Sequence, residues 1–253
     1  PNLSMLSIPT NGSLPDKVTK TAERILEETE IPNVLINVSL DGDEALHDRL
    51  RGIKGFWKKA RKTYELLNTI ENERFRVLVE FTVSKHNAGH LKDALDSFGI
   101  IDYSRVVLTA AHSSFFYCTD QNLHDLHKES SLAQVKEFMS SYRSMSLESL
   151  LPRIYARILE KYLKSAPVTL HCVSGRSSFF LDPYGFLYPC ISMDEPLGNL
   201  KESSLPQLLQ SERARTLLQK IKRRECPGCW TPCEAYQAIL ENFPQAMAVA
   251  FLK

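Results

Sequence analysis

The sequence lacks several features that define large classes of proteins. Its 253 residues carry 31 Lys and Arg against 30 Asp and Glu, whereas a dedicated nucleic-acid binder usually carries a basic excess. No run approaches the roughly 20 apolar residues that span a bilayer. The first residues also lack the basic and apolar stretches of a signal peptide. We therefore expect a cytoplasmic protein that binds neither nucleic acid nor membrane.

The sequence also lacks the short motifs of several enzyme classes. It contains no G-x-S-x-G elbow, no P-loop and no H-E-x-x-H zinc motif. Six cysteines are too few for a disulfide scaffold. In a reducing compartment, clustered cysteines indicate metal ligands or redox groups. Hydrophobic residues make up 43% of the chain and charged residues 24%, which is typical of a globular protein and not of a disordered one.

The first half of the sequence predicts alternating strands and helices. Strands are predicted at residues 3–8, 34–40, 76–83 and 104–110, and amphipathic helices at residues 16–30, 54–69 and 89–97. Asp16 is expected to cap the first helix. Apolar strands that alternate with helices indicate parallel strands buried on both faces. Ligands bind beyond the carboxyl ends of such strands, so the residues that follow each strand are candidate binding residues.

The second half predicts a different organisation. Residues 129–165 are helical and charged, followed by short strands at 168–170, 179–181 and 186–188, a helix at 204–222 and a last helix after the cysteine-rich segment. The last two strands are expected to form a hairpin. We therefore divide the chain into a first domain at residues 1–128, a helical bridge at 129–166 and a cysteine-rich domain at 167–253.

Five of the six cysteines fall in the last third of the chain: Cys172, Cys190, Cys226, Cys229 and Cys233. A CxxC turn directs two thiolates to one centre, and the arms of a hairpin bring two more to one end. Two such pairs that close on one centre are typical of four-cysteine zinc and iron–sulfur sites. Five thiols exceed four ligand positions, and the spacing does not choose zinc over iron. The alternative is a set of unconnected buried cysteines, which is our interpretation of the isolated Cys118.

Two parts of the sequence resemble one enzyme family. The SLDG stretch at residues 39–42, the HDRLRG stretch at 47–52 and the Gly-Phe pair at 55–56 closely resemble the middle of radical SAM enzymes. The TNG turn at residues 10–12 is similar to the end of an earlier strand in that family. Downstream, the pattern of Cys172, Gly185, Cys190 and the CxxC resembles the SPASM or twitch extension, which carries an auxiliary iron–sulfur cluster. The resemblance covers nearly the whole chain.

The resemblance implies an α/β fold. It consists of the C-terminal strands of a partial (β/α) radical SAM-type barrel, followed by a small α+β cysteine-rich domain. The CxxxCxxC loop and the Gly-Gly-Glu stretch of the family are absent, and four strands are predicted where the family has six. We therefore expect the 253 residues to be a C-terminal portion that is inactive and unstable alone.

The family reduces S-adenosylmethionine at a [4Fe–4S] cluster to a 5′-deoxyadenosyl radical, which abstracts hydrogen from the substrate. The resemblance implies that Ser39 and Asp41 lie near the S-adenosylmethionine and that Thr10 and Asn11 line the same mouth. It also implies that Arg49 or Arg51 binds the methionine carboxylate, for which a guanidinium suits bidentate contact. The alternative is that these residues are ordinary turns and solvated cations.

The resemblance further implies an auxiliary [4Fe–4S] cluster held by four of the five cysteines and a second [4Fe–4S] cluster held by the missing part. Trp230 is expected to pack over the auxiliary cluster or in the core. The implied function is that of a radical SAM oxidoreductase or maturase that acts on a peptide or small molecule and is reduced by ferredoxin or flavodoxin. The competing hypotheses are a binding or scaffold protein with a structural zinc, and a partner subunit that recruits the substrate.

Overall fold

This computed structural model describes residues 3–111, 114, 116, 128–141, 147–164 and 170–251. The interpretation of Cys118 and most of the strand predicted at 168–170 lie outside these residues. The chain divides into two compact units, the first formed by Pro1–Thr109 with Glu129–Arg143 and the second by Ala110–Lys128 with Ser144–Lys253. The predicted bridge is therefore not a separate unit, because its two helices pack into different units.

The first unit alternates strands and helices along the chain. Its elements are β1 (Leu6–Thr10), α1 (Pro15–Glu28), β2 (Val34–Leu40), α2 (Glu44–Arg51), α3 (Phe56–Leu67), β3 (Phe75–Val83), α4 (Leu91–Phe98), a 3-10 turn (Tyr103–Arg105), β4 (Val106–Ala110) and α5 (Lys128–Ser141). The strands form one sheet in the order β1-β2-β3-β4. β2 pairs in parallel with both β1 and β3. The prediction of four strands in a parallel α/β arrangement is confirmed.

The two faces of this sheet differ in burial. Every second residue of β2, from Val34 to Leu40, is buried, whereas the intervening Leu35, Asn37 and Ser39 are only half-buried. β3 shows the same alternation. Burial on both faces is therefore partial in β2 and β3, whose second face carries polar residues such as Asn37 and Glu80. In β4, the consecutive residues Leu108, Thr109 and Ala110 are all buried, as predicted.

The TNG turn after β1 is locked against α3. The Thr63 hydroxyl donates to the Gly12 carbonyl at 2.8 Å. Gly12 has φ +69°, and a Cβ at this position would lie 2.7 Å from the Ala60 Cα. Glycine is therefore required both by the left-handed backbone and by the close approach of the helix.

Short helices are defined by their caps more than by apolar periodicity. The eight-residue α2, which the sequence pattern did not predict, begins where the Asp43 side chain accepts from the Leu46 N–H at 2.9 Å. It ends at Gly52, which has φ +69°. The cap predicted for α1 was wrong by two residues. Leu14 is the N-cap and Pro15 opens the helix, because proline at the first helical position needs no N–H partner.

The second unit is a small α+β arrangement. Its elements are α6 (Leu147–Leu163), β5 (Phe180–Leu181), β6 (Phe186–Tyr188), β7 (Gly198–Asn199), α7 (Leu205–Gln210), α8 (Glu212–Lys222), α9 (Pro232–Glu241) and α10 (Phe243–Phe251). The predicted hairpin is confirmed as β5–β6, and β7 adds a third antiparallel strand. The helix predicted at 204–222 is two helices, because Ser211 caps α8 by accepting from the Ala214 N–H at 3.1 Å. None of the helices in the described residues combines the length and apolar character needed to cross a membrane.

Asp48 ties the end of α2 to the start of α3. One carboxylate oxygen accepts from the Trp57 N–H at 2.8 Å and the other from the Gly55 N–H. Burial alone would raise the pKa of Asp48. The backbone N–H donors of Trp57 and Gly55 outweigh that effect, so the pKa lies below its usual value. The ionised carboxylate therefore serves as the acceptor for the first turn of α3.

We predict that Asp48→Ala lowers the free energy of unfolding by about 1–2 kcal/mol, because two N–H groups at the start of α3 lose their acceptor. Urea unfolding measures the change. The pKa of Asp48 is lower in the folded state, so its ionised carboxylate adds to the free energy of unfolding at any pH above the unfolded-state pKa of about 4. This contribution is lost as the pH falls through the folded-state pKa. The difference between variant and wild type should therefore shrink below about pH 4. Glu23→Ala, an exposed change on α1, is the control, and equal effects of the two substitutions would contradict the role of Asp48.

Candidate functional site

Asp41 is the centre of a polar network at the carboxyl end of β2. Its carboxylate oxygens accept from Arg51 Nε at 2.5 Å and from Arg51 Nη2 at 3.2 Å, which is a bidentate pair. Its backbone N–H donates to His47 Nδ1 at 3.1 Å. Its carbonyl accepts from Asn87 Nδ2 at 3.1 Å. All the polar groups of Asp41 are thus engaged by α2 and by the loop that follows β3.

His47 lies under this network and is fully buried. It stacks on Phe56, with ring centroids 5.9 Å apart. Burial lowers the pKa of His47, although the neighbouring Asp41 carboxylate opposes the shift. The neutral ring is consistent with Nδ1 accepting from the Asp41 N–H, so the ring proton lies on Nε2. His47 therefore holds the backbone of Asp41 as a neutral acceptor.

Asn87 joins the ends of two neighbouring strands. Its amide nitrogen donates to the Thr82 carbonyl at 3.0 Å as well as to Asp41, and its oxygen accepts from the Ser84 N–H at 2.7 Å. Asn87 is buried. With these contacts its side chain fixes the loop after β3, in which His86, Gly89 and His90 are exposed.

The other residues that the sequence predicts at this edge differ in their contacts and exposure. Thr10 and Asn11 make local turn contacts, in which their side chains accept from the Gly12 N–H at 3.2 Å and the Ser13 N–H at 3.0 Å. Ser39 stands opposite Glu80 of β3 on the less buried face of the sheet. The Arg49 side chain is exposed and makes no hydrogen bond or ion pair within the described part of the chain.

Glu80 is a residue of this face that the sequence interpretation missed. Burial raises the pKa of Glu80, although a hydrogen bond from Asn37 and the charge of Arg51 oppose the shift. Asn37 also donates to the Ser7 hydroxyl at 3.4 Å. Polar side chains thus connect three strands across this face. The only signal in the sequence was a glutamate inside an apolar strand.

In the second unit, four cysteines line one cavity of about 930 Å³: Cys172, Cys190, Cys226 and Cys229. Cys233 is not among the lining residues and is exposed. All five are thiols and not disulfides. Cys190 is buried within the apolar cluster that Leu187, Met193 and Ile221 help to form.

Two tyrosines of α6 anchor the CxxC loop. The Tyr155 hydroxyl donates to the Trp230 carbonyl at 3.3 Å, and Trp230 Nε1 donates to the Tyr155 carbonyl at 3.2 Å. Their rings stack with centroids 6.1 Å apart. The Tyr162 hydroxyl donates to the Gly228 carbonyl at 3.1 Å. Trp230 is buried and also lines the cavity, so it serves both as core and as wall.

A second set of contacts fixes the loop that carries Cys172. The Cys172 thiol donates to the Ser174 hydroxyl oxygen at 3.1 Å. The hydroxyls of Ser174 and Ser178 both donate to Glu234 Oε2 at 2.5 Å. Glu234 lies in the first turn of α9 and is buried. The Cys172 loop is therefore tied to the helix that follows the CxxC.

The chemistry of these thiols suits a metal cluster. Burial raises the pKa of Cys190 to about 12, and burial also raises the pKa of Cys229. Such thiols stay protonated at neutral pH unless a bound cation favours the thiolate, so metal binding here releases protons. No three His, Cys, Asp or Glu side chains in the described ranges are grouped closely enough to hold one metal ion. The cavity has room for an iron–sulfur cluster.

A comparison with protein families identifies this region. Residues 172–233 match the model of the SPASM iron–sulfur cluster-binding domain. These residues form a SPASM domain. The matched segment begins at the first cysteine of the cavity and ends at Cys233.

Most of the chain is similar to a known maturation protein. It is 22% identical over 206 residues to the sporulation killing factor maturation protein SkfB of Bacillus subtilis (strain 168), a match that covers 79% of this chain and 46% of the relative. The chain thus spans about half the length of this curated relative.

Solved structures show the same fold at low sequence identity. Native anSMEcpe with bound AdoMet is 16% identical with a TM-score of 0.55, covering 98% of this chain and 75% of that one. Native anSMEcpe with bound AdoMet and Cp18Cys peptide is also 16% identical with a TM-score of 0.58, covering 96% and 75%. The resemblance to radical SAM enzymes that carry a SPASM domain is confirmed by these findings.

We predict that Arg51→Gln lowers the free energy of unfolding by about 1–3 kcal/mol, because it leaves the partly buried Asp41 carboxylate without its charged partner. Chemical denaturation measures the change. Arg49→Gln is the matched control on the same helix and should have an effect within about 0.5 kcal/mol of zero. If the two variants unfold alike, the ion pair is not a stabilising contact.

Proposed function

We propose that this protein is part of a radical SAM maturase whose SPASM domain holds one auxiliary iron–sulfur cluster. The ligands are Cys172, Cys190, Cys226 and Cys229. The observation that carries the proposal is that these four thiols line one cavity inside the matched domain. Cysteine thiolates are the usual ligands of [2Fe–2S] and [4Fe–4S] clusters. Cys233, which does not line the cavity, is then the thiol in excess of the four ligand positions.

The first unit supplies the binding edge for S-adenosylmethionine in this proposal. Ser39 and the Asp41–Arg51 pair lie at the carboxyl end of β2, where ligands of parallel α/β folds bind. Arg51 is the cation that we assign to S-adenosylmethionine, because its pairing with Asp41 holds it at this edge. His47 and Asn87 hold the backbone of Asp41, so that the carboxylate keeps one orientation. AdoMet is bound in the solved structures that share the fold.

The proposed reaction is hydrogen abstraction from a peptide. When bound, the S-adenosylmethionine and its cluster supply a 5′-deoxyadenosyl radical. A second [4Fe–4S] cluster of this kind requires a CxxxCxxC motif, which the 253 residues do not contain. The name of SkfB as a maturation protein and the peptide bound to anSMEcpe support a peptide substrate. A ferredoxin or flavodoxin is the proposed reductant.

The test is the iron and sulfide content of the anaerobically purified and reconstituted chain, together with its visible absorption. We expect about four irons and four sulfides per chain, because the cluster that we propose on the four thiolates is a [4Fe–4S] cluster. Replacing any of the four lining cysteines by serine should reduce the iron content. Cys233→Ser is the matched control and should leave it unchanged.

Two results would overturn this assignment. One zinc per chain without sulfide would establish a structural site and favour a binding or scaffold protein. Loss of iron in Cys233→Ser, with full iron in one of the other variants, would replace a proposed ligand with Cys233.

A further inference from the structure

Glu234 is a buried carboxylate beside the cysteine cavity, and the cluster assignment gives it no role. It lines the cavity together with the four proposed ligands. No Lys, Arg or His forms an ion pair with it in the part of the chain that the structure describes. A buried charge of this kind needs hydrogen-bond donors. It receives them from the hydroxyls of Ser174 and Ser178, each 2.5 Å from Oε2.

The chain of contacts runs from a ligand thiol to this carboxylate. The Cys172 thiol donates to Ser174 Oγ, and Ser174 in turn donates to Glu234. A serine hydroxyl has one proton. Ser174 therefore donates either to Glu234 or to Cys172, but not to both at once.

Metal binding changes what Cys172 requires. A thiolate ligand has lost its proton, so Cys172 no longer donates to Ser174 and becomes an acceptor. The thiolate and the carboxylate then compete for the single proton of Ser174. The Ser178 hydroxyl is a second donor to Glu234 but has no contact with Cys172 among the hydrogen bonds of the structure.

We propose that Glu234 is a positioning residue that keeps the Ser174 proton away from the Cys172 thiolate and thereby holds the cluster at a low reduction potential. This inference rests on the proposed function, since it requires a cluster on Cys172. Hydrogen bonds to the cluster sulfurs and the net charge around the cluster both set its potential. When the Cys172 thiolate accepts no hydrogen bond and lies next to a buried negative charge, reduction of the cluster is less favourable.

The test is a redox titration of the reconstituted chain, followed by visible absorption and by the EPR spectrum of the reduced cluster. Glu234→Gln keeps the shape of the side chain but removes its charge, and a neutral amide oxygen competes less strongly with the Cys172 thiolate for the Ser174 proton. We expect a higher midpoint potential and a changed EPR spectrum, at an iron content equal to that of wild type. Glu225→Gln, an exposed neutralisation next to Cys226, is the control and should shift the potential much less, because solvent screens it.

Making the same substitution in a Ser174→Ala protein separates an effect transmitted through Ser174 from an effect of the Glu234 charge alone. If Ser174 transmits the effect, Glu234→Gln should shift the potential less in a Ser174→Ala protein than in wild type. An unchanged potential in Glu234→Gln, or equal shifts in both backgrounds, would overturn the inference while the cluster itself stays established. Absence of iron and sulfide from the wild-type chain would instead overturn the proposed function.

Discussion

The second unit depends on the contact between α6 and the segment that carries the CxxC. The reciprocal hydrogen bonds of Tyr155 and Trp230, with their stacked rings, fix the backbone on one side of the loop. The Tyr162 hydroxyl fixes the turn itself at Gly228. Without these contacts an exposed Pro-Gly turn has little to hold it in place, and the thiols of Cys226 and Cys229 lose their common direction. A helix distant in sequence thus determines where two of the proposed ligands lie.

In the first unit, too, side chains from other segments fix a piece of backbone, but here they are charged and polar instead of aromatic. Asp41 ends a strand, but its orientation is set by His47 and Arg51 of α2 and by Asn87 of the next loop. Asp48 then fixes α2 to the following helix. Much of the SLDG and HDRLRG pattern is therefore explained by the need to hold one strand end in a single conformation.

The strands, the hairpin and the cysteine grouping were predictable from the sequence, because each has a strong local signal. Apolar runs such as residues 34–40 mark strands, and the CxxC spacing marks a ligand pair. α2 was not predictable in this way, since eight residues give too little periodicity and its ends depend on Asp43 and Gly52.

The partners of single side chains were also out of reach of the sequence. The sequence alone does not distinguish Arg49 from Arg51, and only the helix geometry directs Arg51 to Asp41. Glu234 follows a cysteine at the start of a helix, but its partners Ser174 and Ser178 lie more than 50 residues away. The choice of four cysteines from five likewise required the three-dimensional position of Cys233. In each case the missing information was a contact between segments distant in the chain.

The division of the chain into units has a consequence for how the protein can be dissected. Residues 110–128 belong to the second unit, whereas residues 129–143, which follow them in the chain, belong to the first. The backbone therefore passes between the units three times, and no single cut separates them. Truncation after residue 109 removes α5 from the first unit, and truncation before residue 144 removes a segment from the second. The two units are thus interleaved in sequence, and neither corresponds to one continuous segment of the chain.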